Sequence, residues 1–149
     1  MAIKEIFEHD LLDAIRQKNE TKKRTIRMVI SNIKLAEVEK GDRLEDSAIL
    51  SIIYKEIKIR HETITEAQKG NRENVINDAE SEIGILNNYL PKPMTEEEVR
   101  SMALKTIEDL KVSSLKEMGT VMKIMITETE SRAPADLISR IVRELISNR

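Results

Sequence analysis

A helical pattern in this chain meets a hard stop at Tyr89-Leu90-Pro91, and Pro93 follows two residues later. Proline has no amide hydrogen to donate and drives the residue before it out of the helical region. The helix ahead must therefore end near Leu90, and an extended connector must follow. Two of the three prolines sit in that connector and stiffen it. The expected organisation is a larger N-terminal domain of about four helices over residues 1–91 and a small C-terminal three-helix bundle over residues 92–149.

Composition supports an all-α class. Hydrophobic residues make up 40% of the 149 and charged residues 35%, while aromatics are only 2%, which suits helices packed through Ile, Leu, Val and Met rather than a sandwich. A compact fold of this size buries roughly two-thirds of its unfolded surface, so a real core is within reach. The absence of cysteine removes disulfides and thiolate zinc sites and permits a reducing compartment. The first eight residues carry the acids Glu5 and Glu8, where a signal or transit peptide needs an apolar or acid-poor run. No apolar run approaches transmembrane length. The expectation is a cytoplasmic chain with no membrane partner.

Helical periodicity divides the N-terminal part into four segments. Ile3, Phe7, Leu11, Ala14 and Ile15 mark the first, with a break at Asn19-Glu20-Thr21. Ile26, Val29, Ile30, Ile33 and Ala36 mark the second, which Gly41 ends as a left-handed glycine does. The third is expected to be capped by Asp46, to carry Ile49, Ile53, Ile57, Ile64 and Ala67, and to stop at Gly70. The fourth uses Val75, Ile76, Ala79, Ile83, Leu86 and Leu90. Beyond the prolines, Thr95-Glu96-Glu97-Glu98 and Ser114-Leu115-Lys116-Glu117 read as capping boxes, and Pro134 sits where a first-turn proline is tolerated. The Met118, Met122 and Met125 stripe reads as core, although methionine also suits an adaptable partner surface. Gly119 within that helix costs about 1 kcal/mol relative to alanine, and close approach of another backbone is the expected compensation.

Catalytic sets are thin. His9 and His61 are the only histidines, and each lies in a charge-rich helical stretch where a solvated role is expected. There is no Glu-x-x-His of the kind that di-metal bundles use. The doublets Glu37/Glu39, Glu80/Glu82 and Glu128/Glu130 are two apart, which separates their side chains by roughly 200° around a helix. The glycines are isolated, so no phosphate loop is present. No catalytic residue, no cofactor-binding set and no metal-ligand set emerges.

Charge distribution is the best chemical lead. Net charge is −2, yet between Arg16 and Arg27 six basic residues are opposed only by Glu20. On a helix Lys23, Arg27 and Lys34 share one face, and on the next Tyr54, Lys58 and His61 share another, with Lys55 beside Lys58. That layout suits phosphate contact, although such faces also serve solubility alone. Arg60 falls on the apolar side of its helix, either presenting its guanidinium at an edge or pairing with an acid.

Five short motifs in order resemble the GatB/YqeY family over essentially the whole chain. They are Arg24-Thr25-x-Arg27-Met28, Lys55-Glu56-x-Lys58-x-Arg60, Gly70-x-Arg72, Glu82-Ile83-x-x-Leu86-x-x-Tyr89-Leu90-Pro91, and Met118-Gly119-x-Val121-Met122. Where the family has Gly-Arg-Ala-Asp-Gly before its last helix, this chain has Ser131-Arg132-Ala133-Pro134-Ala135. The resemblance implies a two-part helical fold and kinship with the tail of the B subunit of glutamine-dependent aminoacyl-tRNA amidotransferase, a tRNA-holding appendage. It also brings a label, carbon-nitrogen ligase with glutamine as amido-N-donor, whose machinery nothing here matches. The expectation is a stand-alone, non-catalytic module that contacts tRNA or another structured RNA through Lys23, Arg24, Arg27, Lys55, Lys58 and Arg60, with Arg132 contributing from the second part. The alternative is a protein-interaction adaptor for a tRNA synthetase or an amidotransferase.

Overall fold

The structure is a computed structural model that describes residues 2–148. Among them the regular elements are all helical: α1 (Ile3–Arg16), α2 (Glu20–Lys40), α3 (Asp46–Lys69), α4 (Glu73–Asn87), α5 (Glu96–Asp109), a 3-10 turn at Leu115–Glu117 running into α6 (Met118–Glu128), and α7 (Ala135–Ser147). The chain divides into two compact units, Met1–Leu90 and Pro91–Arg149, a division that fits the proline connector.

In the first unit, α3 packs along α4, and α1 along α2. The apolar positions that recur at helical spacing form the core: Phe7 on α1, Ile26, Val29 and Ile33 on α2, Ile49 and Ile53 on α3, and Leu86 on α4. Complete burial of one such isoleucine stabilises by roughly 1.5–3 kcal/mol. Val75 departs from its expected place, being 39% exposed, because the stripe on α4 turns inward only from Ile76 and Ala79 onward. The junction tyrosine is tied back across the unit. Its ring stacks on Phe7 at 4.1 Å between centroids, and its hydroxyl donates to Asp10 Oδ2 at 2.6 Å. Burial, and then the bond to Asp10, raise the Tyr89 pKa far above the phenol range, so it stays protonated.

In the second unit α7 packs on both α5 and α6 around Val99, Ile107, Met125, Ile138 and Ile141, all fully buried or nearly so. Met118 and Met122 lie half-buried against that cluster, so the methionine stripe is core. Thr95 Oγ1 accepts from the Glu98 amide at 3.1 Å, the first half of a capping box. The Glu98 carboxylate lies instead 3.7 Å from Arg132. At the second box Ser114 Oγ accepts from Lys116 N, while Glu117 accepts from the amide of Ser113, one residue earlier than the motif requires.

Helix ends show what glycine spacing alone missed. Gly41 is left-handed at φ 79°, as expected, but Lys18, Asn71 and Lys111 adopt φ near 55° as well. After each of those three, the next amide reaches back to a carbonyl five residues earlier, at Ala14, Ala67 and Ile107. These are Schellman closures built on a lysine, an asparagine and a lysine. Gly70 has an ordinary φ of −104°, and Asn71 makes the turn. Asp46 does not cap its own helix. Its carboxylate accepts from the amide of Ile3 at 3.4 Å, supplying the side-chain cap that α1 lacks. Pro134 stands one position before the first turn, as the N-cap of α7. Ser131, at the first glycine of the family's turn, holds φ 63°, a left-handed backbone carried here by a serine.

Gly119 corrects an expectation. A Cβ there would meet nothing within 4 Å, and the same holds at Gly84, so neither helix glycine serves close backbone approach. Gly119→Ala and Gly84→Ala should each stabilise the chain by about 0.5–1 kcal/mol in urea unfolding, whereas Gly41→Ala, at its positive φ, should lower stability.

Glu37 locks the N-terminus of α1 to the end of α2. One oxygen takes Lys4 Nζ at 2.7 Å and the other takes the amide of Leu44 at 3.0 Å. The Lys4 bond first, and the Leu44 bond second, lower its pKa below the ordinary 4.5. A depressed carboxylate contributes stability that is complete above its unfolded pKa and is lost as pH falls through the folded one. Glu37→Gln should therefore flatten the acid side of the pH–stability curve below about pH 4.5, read by chemical denaturation at stepped pH.

Candidate functional site

Three helices of the first unit meet at one buried guanidinium. Arg60 is only 6% exposed, and Glu56, one turn earlier on α3, is 8% exposed. Arg60 Nη1 donates to Glu56 Oε2 at 2.6 Å and to the Glu56 carbonyl at 3.0 Å, while Nε donates to Glu82 Oε2 of α4 at 2.9 Å. Its Nη2 lies 3.3 Å from the thioether of Met28 on α2. The network extends outward from both acids. Asn32 Nδ2 donates to Glu56 Oε1 at 2.7 Å, and Arg24 Nη2 donates to Glu82 Oε1 at 3.2 Å. Arg24, Met28 and Asn32 are spaced by one turn each, so one stripe of α2 serves the whole network.

A charge taken out of water must be paired and hydrogen-bonded, and here both acids and one carbonyl meet it. The expectation that Arg60 offers its guanidinium to a partner is therefore corrected: of its two alternatives, the structural pairing with acids is the one realised. Arg24 sits at the rim, with 54% of its side chain exposed, and shares Glu82 with Arg60. These two are the candidate residues that the fold brings onto a common group.

The remaining candidates face outward. Arg27 and Lys55 are exposed and make no ion pair among the described residues. Lys58 is exposed, and Lys23 is half-buried, 3.5 Å from Glu20. Arg132 lies in the second unit and is a structural clasp there. Its Nε donates to the carbonyl of Lys92 at 3.0 Å, and its own carbonyl accepts from the amide of Met94. It pins the connector residues to the turn before α7.

Two further features escaped the sequence reading. His9, Asp10 and Asp13 bring one donor atom each within 4.8 Å of one another on α1. His9 is 62% exposed and Asp10 already accepts from Tyr89, so the cluster is a solvent-facing polar group, visible in retrospect as His-Asp-x-x-Asp. Along the outer side of α2, Met28, Leu35 and Val38 are 46%, 60% and 78% exposed. Their spacing of seven and three leaves an apolar seam beside Arg27 and Lys34.

The profile of the Yqey-like protein family matches residues 4–146. The chain belongs to the YqeY-like family. A Kluyveromyces lactis protein called "Altered inheritance of mitochondria protein 41, mitochondrial" is 36% identical over 111 residues, covering 72% of this chain and 60% of the relative. Its namesake in Lachancea thermotolerans is 32% identical over 143 residues, covering 91% of this chain and 76% of the relative. The match to the Kluyveromyces lactis protein thus takes in less than two-thirds of its length.

Those names overturn the expectation of a purely cytoplasmic location, since the relatives are named as mitochondrial proteins. The expectation rested on missing cysteine and on early acids, and a cysteine-free composition distinguishes one reducing compartment from another not at all. Among the described residues no helix is long and apolar enough to cross a membrane.

The YqeY-like motifs now divide by role. Arg24, Met28, Glu56, Arg60 and Glu82 belong to the ion network, and Arg72 lies over Gly70, with its Nε 3.5 Å from where a Cβ would stand. Arg60→Ala leaves two acids without their shared cation and should cost about 3 kcal/mol or more, whereas Arg27→Ala should stay within about 0.5 kcal/mol; urea midpoints at constant m measure both.

Proposed function

We propose that this YqeY-like chain is a non-catalytic helical module that contacts tRNA or another structured RNA electrostatically through its first unit. The observation that carries the reading is the division of the cations. Arg60 is spent on the fold, while Arg27 and Lys55 are exposed and make no ion pair among the described residues; Lys23, Arg24 and Lys58, on the same two helices, are already engaged within the chain. Cations that stabilise nothing in the monomer are the ones available to phosphates. Support for a non-catalytic role comes from the perturbed groups. The raised pKa of Tyr89 and the lowered one of Glu37 go with contacts that tie helices together, and the raised pKa of Tyr54 with its own burial, so none of the three needs a reactive partner to explain it. No cofactor enters this reading, and amide transfer from glutamine finds no activated nucleophile to carry it.

A second reading, an adaptor for a synthetase or an amidotransferase, is favoured by the Met28, Leu35 and Val38 seam, whose apolar area suits a partner helix. One set of measurements separates the two. With fluorescent tRNA, binding should weaken linearly in log salt, and Arg27→Ala with Lys55→Ala should reduce the slope by about 1 per lost contact. Leu35→Ser with Val38→Ser should leave that binding intact. RNA contact fails if affinity at about 50 mM salt is no better than for an acidic control polymer. Protein partners that survive nuclease treatment in a pull-down, and are lost with the seam variant, would establish the adaptor instead.

A further inference from the structure

A recess of about 300 Å³ opens in the first unit between α1, the first turn of α2 and the end of α4. Its floor is apolar, made by Ile3 and Ile6 of α1 and Ile85 of α4, all of them half-buried rather than sealed in the core. One wall is the bonded pair of Tyr89 and Asp10. Because that phenol stays protonated and donates a hydrogen bond to Asp10, the carboxylate is already engaged. Lys22 is the cation of the lining. It is half-buried and has no acid partner among the described residues, and the amide of Asn88 stands at the same recess with its side chain uncommitted. A half-buried lysine with no acid partner among the described residues, lining the same recess as an amide donor and three isoleucines, is the complement of an amphiphilic anion. The volume sits at the lower end of small-molecule sites, which limits the ligand to a short body.

We propose that this recess binds a small monocarboxylate with a branched aliphatic body, the carboxylate on Lys22 and Asn88 and the body on the three isoleucines. A free carboxylic acid and the C-terminal residue of a peptide present the same chemistry. The site uses none of the side chains assigned to RNA, so the two readings stand or fall separately.

The test is a chemical-shift titration of the isotope-labelled full chain with 4-methylpentanoate. Saturable shifts at Ile6, Ile85 and Asn88 are expected, with a dissociation constant on the order of 1 mM. Lys22→Gln should weaken binding about tenfold or more, Lys22→Arg should retain it, and 4-methylpentanol should bind as weakly as the Gln variant sees the acid. Unchanged unfolding midpoints confirm that both variants fold. An acetylated dipeptide ending in leucine, compared with its C-terminal amide, assigns the source: a free-acid dipeptide that binds at least as well as 4-methylpentanoate marks a chain end, and a weaker one marks the free acid. Absence of saturable shifts, equal binding of the alcohol, or no effect of Lys22→Gln overturns the proposal. Tighter binding of leucine than of 4-methylpentanoate also overturns it, since the ammonium would then be orienting the ligand on Asp10.

Discussion

The first unit depends on the requirement that a buried guanidinium be paired. Arg60 has acids on two sides, one from its own helix and one from α4, and a thioether from α2 above it. Each partner sits at one defined position along its helix. A slide of α4 by one turn that put Leu86 in the place of Glu82 would leave the buried guanidinium with one of its two acids and an aliphatic side chain against its Nε, a worse state than the loss of a few van der Waals contacts. Isoleucines at several neighbouring positions tolerate such shifts, because one aliphatic surface packs much like another. The role we assign to the network is therefore to fix the relative registration of α2, α3 and α4, with the hydrophobic core supplying the bulk of the stabilisation.

This recasts what the family motifs report. Polar residues recurring in a helical family invite a reading as a binding surface, and Arg24, Glu56, Arg60 and Glu82 have that look on paper. In three dimensions they answer one another. The side chains left over, Arg27 and Lys55, carry the functional argument because they are exposed and make no ion pair among the described residues. Function is thus sought in what the architecture does not consume. The same sorting applies to Arg132, whose fork holds a carbonyl of its own connector rather than facing a ligand.

Helix identity and core were legible because 3.6-residue periodicity survives in the sequence: Phe7, Ile26, Ile33, Ile53 and Leu86 are where the pattern puts them. Less legible were features set by pairs of residues far apart in the chain. Asp46 looks like a cap for the helix that it begins, and only the approach of α1 shows that it caps Ile3, 43 positions away. Arg60 was ambiguous for the same reason, since Glu82 lies 22 positions on. Local backbone also escaped wherever a residue other than glycine took the left-handed turn, as Lys18, Asn71 and Lys111 do. Glycine marks a left-handed position without steric cost, but a Schellman closure with its recovered hydrogen bond suffices to hold a lysine there. Compartment was not legible at all, because it is written in no packing rule.

The stack of Tyr89 on Phe7, with its hydroxyl on Asp10, gives the end of α4 an anchor at the opposite end of the sequence of that unit. The chain therefore leaves the first unit from a stationary point rather than from a fraying helix end. An inserted residue before Tyr89 would rotate the ring off its partner by about 100° of helix and detach the last turn, while one inserted after Pro91 would leave α4 untouched. Insertions past the tyrosine are thus the ones the first unit tolerates, and the reach of the connector can change without any change to the unit that bears it.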